Sequence, residues 1–342
     1  MGIKYVVAVF SALAMVFLTL ALQFYFFKDN RRHQPVINNS ADLVTYSSQW
    51  VDAAIQPLPR LEYYDVGWVQ LGKALFKSPL LSADNTTSCA SCHDLYNGGD
   101  DGFPVSVGIN QQLGSRNAPS VINAVFNFRQ FWDGRSPDLT SQLPLPIHNP
   151  LEMASNWSQV IGKLNQQPHF VNSFEALSED GITPENITKA IVAFQKSLVS
   201  ENTPIDAYLL GNEKALTVQQ QRGYRKFVEL GCVTCHQGRN IGGNIYQKMG
   251  RLDRMPKALL NDAGRYQLTR NEQDKFVFKV PSLRNVANTG PYFHNGSVGQ
   301  LSDAIRIMAS GQLGLELSDE DVSDLEALLH AFSGELPRSL KE

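Results

Sequence analysis

The sequence predicts an all-α protein, two helical units built on one plan behind a single N-terminal hydrophobic helix. Three observations predict it. No stretch alternates apolar and polar residues over strand length. One order of features occurs twice, opening and closing each time on an amphipathic segment. The run Tyr5–Phe27 is uncharged and long enough to cross a bilayer as a helix.

The N-terminal run is preceded by Lys4 and followed by Lys28, Arg31 and Arg32. It ends in Gln23-Phe24-Tyr25-Phe26-Phe27, with no small-x-small cleavage site and with aromatics suited to an interface. Residues 1–28 therefore read as an uncleaved transmembrane anchor. The basic residues after the run favour keeping that flank in the cytoplasm, which opposes the topology required below. Residues 29–60, polar with scattered proline, read as a tether with a short helix near Ala41–Ala54. The chain of 342 residues is 43% hydrophobic and 18% charged with net charge −3. No block of one charge sign occurs, which argues against nucleic acid and against a polybasic membrane patch as partners.

The first unit, residues 61–210, opens on Trp68, Leu71 and Leu75 at i, i+3 and i+7. Cys89-Ala90-Ser91-Cys92-His93 follows, then Arg116-Asn117, then the aromatic turn Phe131-Trp132-Asp133-Gly134. Its closing helix has Thr183 as N-cap, Pro184 at the first position, and Ile187, Ile191, Phe194 and Leu198 along one face. The second unit, residues 211–342, opens on Tyr224, Phe227 and Val228 and carries Cys232-Val233-Thr234-Cys235-His236. Arg284-Asn285 and Tyr292-Phe293-His294-Asn295-Gly296 follow in the same order. It closes with Ser318 as N-cap and Val322, Leu325 and Leu329 inward. Residues 201–217 read as the join.

Cys-x-x-Cys-His has a specific chemistry. Two thiols three residues apart can add to the two vinyl groups on one porphyrin edge, and the next residue presents an imidazole to the iron. Zinc would need four ligands gathered at one place, and each motif brings three, far apart in the sequence. A thioredoxin-like pair lacks its βαβ setting. Cys89, Cys92, His93 and Cys232, Cys235, His236 use every cysteine of the chain, so two covalently bound haem c groups are expected, with His93 and His236 as iron ligands.

Function then turns on the sixth position of each iron, since a filled one transfers electrons and an open one reacts. Met308 follows His236 on the segment Leu301–Met308 and is the expected thioether ligand, with Met249 and Met255 competing. The equivalent stretch of the first unit carries Asn149-Pro150-Leu151-Glu152-Met153. Glu152 there could move a proton between peroxide oxygens, or be an exposed helix-start residue; Met153 as a ligand is the lesser alternative.

These strings resemble the bacterial di-haem cytochrome c peroxidases. The resemblance runs through Leu71-Gly72-Lys73-x-Leu75-Phe76, Ser88-Cys89-x-x-Cys92-His93, Arg116-Asn117-Ala118-Pro119, Gln130 to Arg135 and Asn149-Pro150-x-Glu152-Met153. Gly290-Pro291-Tyr292-Phe293-His294-Asn295-Gly296, Met308 and Gln312-Leu313-Gly314 extend it to the second unit. It implies two cytochrome c-like haem domains and reduction of hydrogen peroxide to water. His93 would hold the peroxidatic haem, and His236 with Met308 the electron-entry haem. Glu152 and Gln142 match the distal acid and amide, and Trp132 the indole between the haems. Asn117, Thr289 and Pro291 match carbonyl donors to an interdomain Ca2+. The donor would be a small cytochrome c, a cupredoxin or quinol, and many members form homodimers. Because c-type attachment takes place outside the cytoplasm, the expected location is the bacterial inner membrane, catalytic domains in the periplasm.

One position departs from the family pattern. Ile109, in Val105-Ser106-Val107-Gly108-Ile109-Asn110-Gln111-Gln112, stands where members carry a His that caps the resting peroxidatic iron. Isoleucine cannot ligate iron, so the first haem is expected to be open in every oxidation state. Two other readings remain: a maturation enzyme that oxidises a partner protein's side chain, whose members usually carry Tyr at the position of Met308, and a non-enzymatic di-haem electron carrier.

Overall fold

The computed structural model describes residues 54–59, 65–252 and 254–341. In the first half, α1 (Val66–Lys77) leads to α2 (Cys89–Cys92), α3 (Leu139–Gln142), α4 (Pro144–His148), α5 (Trp157–Leu164), α6 (Pro168–Glu175) and α7 (Pro184–Ser197). In the second, α8 (Pro204–Leu209), α9 (Val218–Glu229), α10 (Tyr266–Thr269), α11 (Leu301–Met308), α12 (Asp319–Ala331) and α13 (Arg338–Lys341) surround a two-stranded antiparallel sheet. The strands β1 (Tyr246–Lys248) and β2 (Val277–Lys279) pair Tyr246 with Lys279 and Lys248 with Val277. The chain is mostly helical, as expected, with this small sheet added, whose three-residue strands are too short to write an alternating pattern.

The capping chemistry fixes the long helices. Asp65 accepts from the Trp68 amide at the start of α1, and Thr183 from the Asn186 amide at the start of α7, with Pro184 next. Thr217 and Gln220 close a capping box on α9. Ser318 and Asp321 do so on α12, whose first turn adds Asp319 and Glu320 against the helix dipole.

Trp68, Leu71, Leu75, Ile187, Ile191 and Phe194 are buried where α1 packs on α7 and form much of the first core. The second core joins Phe227 of α9 to Leu325 and Leu329 of α12. Val228 is the exception to the expected face, being 43% exposed. The second core begins inside the expected join: Thr203 caps α8, and Ile205 and Leu209, one turn apart, pack into it. Ile55, ahead of α1, belongs to the second core, and Leu340, after α12, to the first.

The expected inner-membrane location is corrected: no helix among the described residues is long and apolar enough to cross a membrane. The expected anchor, residues 1–28, and the helix near Ala41–Ala54 up to residue 53 lie outside the described residues.

Candidate haem centres

At the first motif, the Ser88 amide donates to Ser91 Oγ at 3.0 Å, and the His93 amide closes the turn onto the Cys89 carbonyl at 3.0 Å. The His93 ring Nδ1 lies 3.2 Å from the Gly99 carbonyl. With the proton on Nδ1, that contact orients the ring and leaves Nε2 as the free ligand nitrogen. Burial lowers the imidazole's pKa, which keeps it neutral. Burial also pushes the thiols up, Cys89 to about 12 and Cys92 to about 11. Protonated thiols of this kind are poor nucleophiles, which argues against thiolate chemistry here.

The second motif begins after Gly231, whose φ of +88° lets the chain turn sharply out of α9. Cys232 is pushed up to about 11 and His236 down to about 4, both by burial. Cys232, Cys235, His236, Met308, Trp132 and Lys279 share the walls of one cavity of about 280 Å³. Met249 also borders it, whereas Met255 packs beneath Gly311. Met308 sits where α11 gives way to a π-helical turn, Ala309–Leu313. Such turns often mark functional positions.

Glu152 is half-buried, and its charge acts on both Cys89 and Cys92, which puts it on the first motif's side of the molecule. Burial raises its pKa; the Asn149 amide, 2.6 Å from Oε1, and the Arg135 guanidinium pull the other way. Gln142 ends α3, and its side-chain amide has no hydrogen bond among the described residues. Ile109 is 3% exposed, and its amide donates to the Glu152 carbonyl at 2.8 Å. Gly108 allows that approach, since a Cβ there would lie 2.0 Å from the Leu151 carbonyl oxygen. The backbone at position 109 is therefore held against the Glu152 segment, with its apolar side chain buried. His148 and His169, the other histidines of this half, are both exposed. Met153 is buried in the first core.

Trp132 is held across the two halves. Its Nε1 donates to the Asn117 carbonyl at 2.9 Å, and its own carbonyl accepts from the Lys279 amide at 2.8 Å. The indole meets His294 edge-on at 6.2 Å, and His294 stacks on Phe278 at 4.3 Å. Asn117, Thr289 and Pro291 border the second-motif cavity as well. Pro291 also borders a polar cavity of about 600 Å³ that contains Asp100, a carboxylate with both oxygens buried and unpartnered, pushed up to about 6 by burial. No group of three or more His, Cys, Asp or Glu among the described residues is placed to hold a metal ion, so a cation here would depend on carbonyl oxygens and Asp100. Sequence reasoning did not find Asp100, Asn149 or Lys279. Asn149 is distinguished by its bond to Glu152 three residues on, and Asp100 and Lys279 by a burial that only folding creates.

Residues 67–214 match the family described as di-haem cytochrome c peroxidase. Cytochrome c peroxidase of Escherichia coli (strain K12) is 44% identical over 283 residues, which are 82% of this chain. The chain spans 61% of that protein's length. Cytochrome c551 peroxidase of Pseudomonas aeruginosa is 43% identical over 274 residues, 79% of each chain. The crystal structure of a MauG-like protein associated with microbial copper homeostasis superposes with a TM-score of 0.71 at 26% identity, covering 86% of this chain and 95% of that one.

Proposed function

Because the chain belongs to the di-haem cytochrome c peroxidase family, we propose that it reduces hydrogen peroxide to water at the first motif, with electrons entering at the second. The single observation that carries this reading is Glu152, a half-buried carboxylate with a raised pKa within electrostatic reach of Cys89 and Cys92. The residues fit a haem at each motif: paired thiols, a half-buried imidazole kept neutral, and at the second a cavity with Met308 on its wall.

The bound haems supply an iron that takes up peroxide and the one-electron redox steps. The protein's own part is proton handling and orientation. The Glu152 carboxylate accepts a proton from one peroxide oxygen and returns it to the other, which leaves as water. The Gln142 amide hydrogen-bonds the peroxide and fixes its direction. Asn149 and Arg135 position Glu152 and balance its charge. Ile109 would offer the first haem no capping ligand, so the oxidised enzyme would be competent without prior reduction. His236 and Met308 would hold the second haem, and Trp132 would lie on the electron path. Asn117, Thr289 and Pro291 would hold a Ca2+ through their carbonyls, with Asp100 supplying charge nearby and the ion bracing the two halves. A small cytochrome c is the donor favoured, as in the relatives' names.

Methionine at position 308, in place of tyrosine, disfavours the maturation enzyme. Glu152→Gln separates a peroxidase from an electron carrier. The variant should keep both haem spectra and bind cyanide in its fully oxidised form, yet lose most peroxide turnover. Near-normal turnover would remove Glu152 from the reaction, and a protein inert to cyanide even after partial reduction would leave only a carrier.

A further inference from the structure

Lys279 ends β2 with 6% of its surface exposed, on the wall of the cavity that Cys232, His236 and Met308 share. No carboxylate, carbonyl or hydroxyl among the described residues hydrogen-bonds or ion-pairs with its ammonium, and burial pulls its pKa down to about 8. Other cations withdrawn from solvent are matched. Arg116 pairs with Asp133 and Asp262, and Arg284 with Asp206. Lys73 donates to the Ser339 carbonyl, and Lys163 to those of Ser82 and Ala83. Withdrawing an unpaired ammonium from water costs several kcal/mol, so such groups occur paired. The missing anion belongs to whatever fills the cavity. A haem bound there by its vinyl edge brings two propionate carboxylates on its opposite edge.

We infer that Lys279 is the counter-charge for a propionate of the second haem, and that it raises that haem's reduction potential. The inference rests on the assignment of the second haem above. β2 sets the residue in place: its amide is fixed to the Trp132 carbonyl, and its cross-strand neighbour is Tyr246. Phe278, one position back, stacks on His294. A positive charge beside the porphyrin favours the more electron-rich ferrous state. A rigid strand holds that charge at one distance, next to the residue on the electron path.

The test is spectroelectrochemical titration of the full di-haem protein as wild type, Lys279→Met and Lys279→Arg. Lys279→Met should lower the equilibrium constant for reducing the second haem about tenfold, or ~59 mV for a one-electron couple. Lys279→Arg should stay close to wild type, and the first haem's midpoint should hold in all three. Lys279→Gln, uncharged but polar, serves if the Met variant does not mature. An unchanged midpoint in the uncharged variant overturns the inference, as does an Arg variant that falls as far as Met. A wild type lacking a high-potential His/Met haem would instead refute the haem assignment, and the inference with it.

Discussion

At Glu152, burial and hydrogen bonding oppose each other. Burial favours the protonated carboxyl, the Asn149 amide and Arg135 favour the carboxylate, and burial wins. If the carboxylate must accept the first proton, kcat/KM falls as pH drops through this pKa. That acid limb should lie above the ordinary glutamate value of about 4.3. Asn149→Ala removes one of the two lowering contacts, so the limb should move to still higher pH, with kcat at high pH little changed. A limb that stays put in a pH–rate profile of the variant would assign it to another group. Spacing alone left Glu152 between a proton-transfer group and an exposed helix-start residue, and only the family strings singled it out for the role proposed above. What the linear sequence lacked was the long-range contact, Gly108 and Ile109 laid against residues 151–152. Lys279 and Asp100 were illegible for a related reason. Their distinction is a partner that is missing after folding, and no local pattern records that.

Between elements, both halves repeat one close crossing. A Cβ at Gly72 of α1 would sit 1.9 Å from the Ala190 carbonyl oxygen of α7. At Gly223 of α9 the same atom would sit 2.0 Å from that of Asp324 on α12. Alanine gains up to about 1 kcal/mol of helix propensity over glycine. Forcing two packed backbones apart costs about 1–3 kcal/mol, and an overlap this deep belongs at the upper end. Gly72→Ala and Gly223→Ala should therefore each destabilise by about 1–2 kcal/mol net, seen as a lower midpoint in thermal unfolding of the haem-loaded protein. A raised midpoint in either would mean that the helices separate at no cost. The helices themselves were readable, because Thr183-Pro184 and Ser318 announce α7 and α12 and the inward positions keep helical spacing. The two-stranded sheet and α8 were not readable. Three-residue strands carry no period, and α8 lies in a stretch whose polar ends read as a join.

Across the whole molecule, each half is completed by the far end of the chain. The Gln56 amide donates to the Gly238 carbonyl at 3.3 Å, Gly238 returns a bond to Ala54 at 2.7 Å, and Ile55 fills the second core. After α12 the chain returns to the first half. Glu335 pairs through its backbone with Glu201, Ser339 Oγ donates to the Ser197 carbonyl, and Leu336 and Leu340 pack on the first core. Two tandem modules would each be closed by their own residues, and a truncation at the C-terminus would then weaken only the second. Here the opposite should hold. Deleting residues 336–342 uncovers the first core at Leu336 and Leu340 and frees Lys73 from Ser339. At about 1.5–3 kcal/mol for a fully buried leucine, and less for the partly buried Leu336, the loss should be about 2–4 kcal/mol. Thermal unfolding of the truncated di-haem protein, followed separately through the spectra of the two haems, should show the first haem's environment lost at a lower temperature than in the full chain. The second should shift less. If the second-haem signal alone melts early, the two halves close independently and the chain ends are ornaments of the fold.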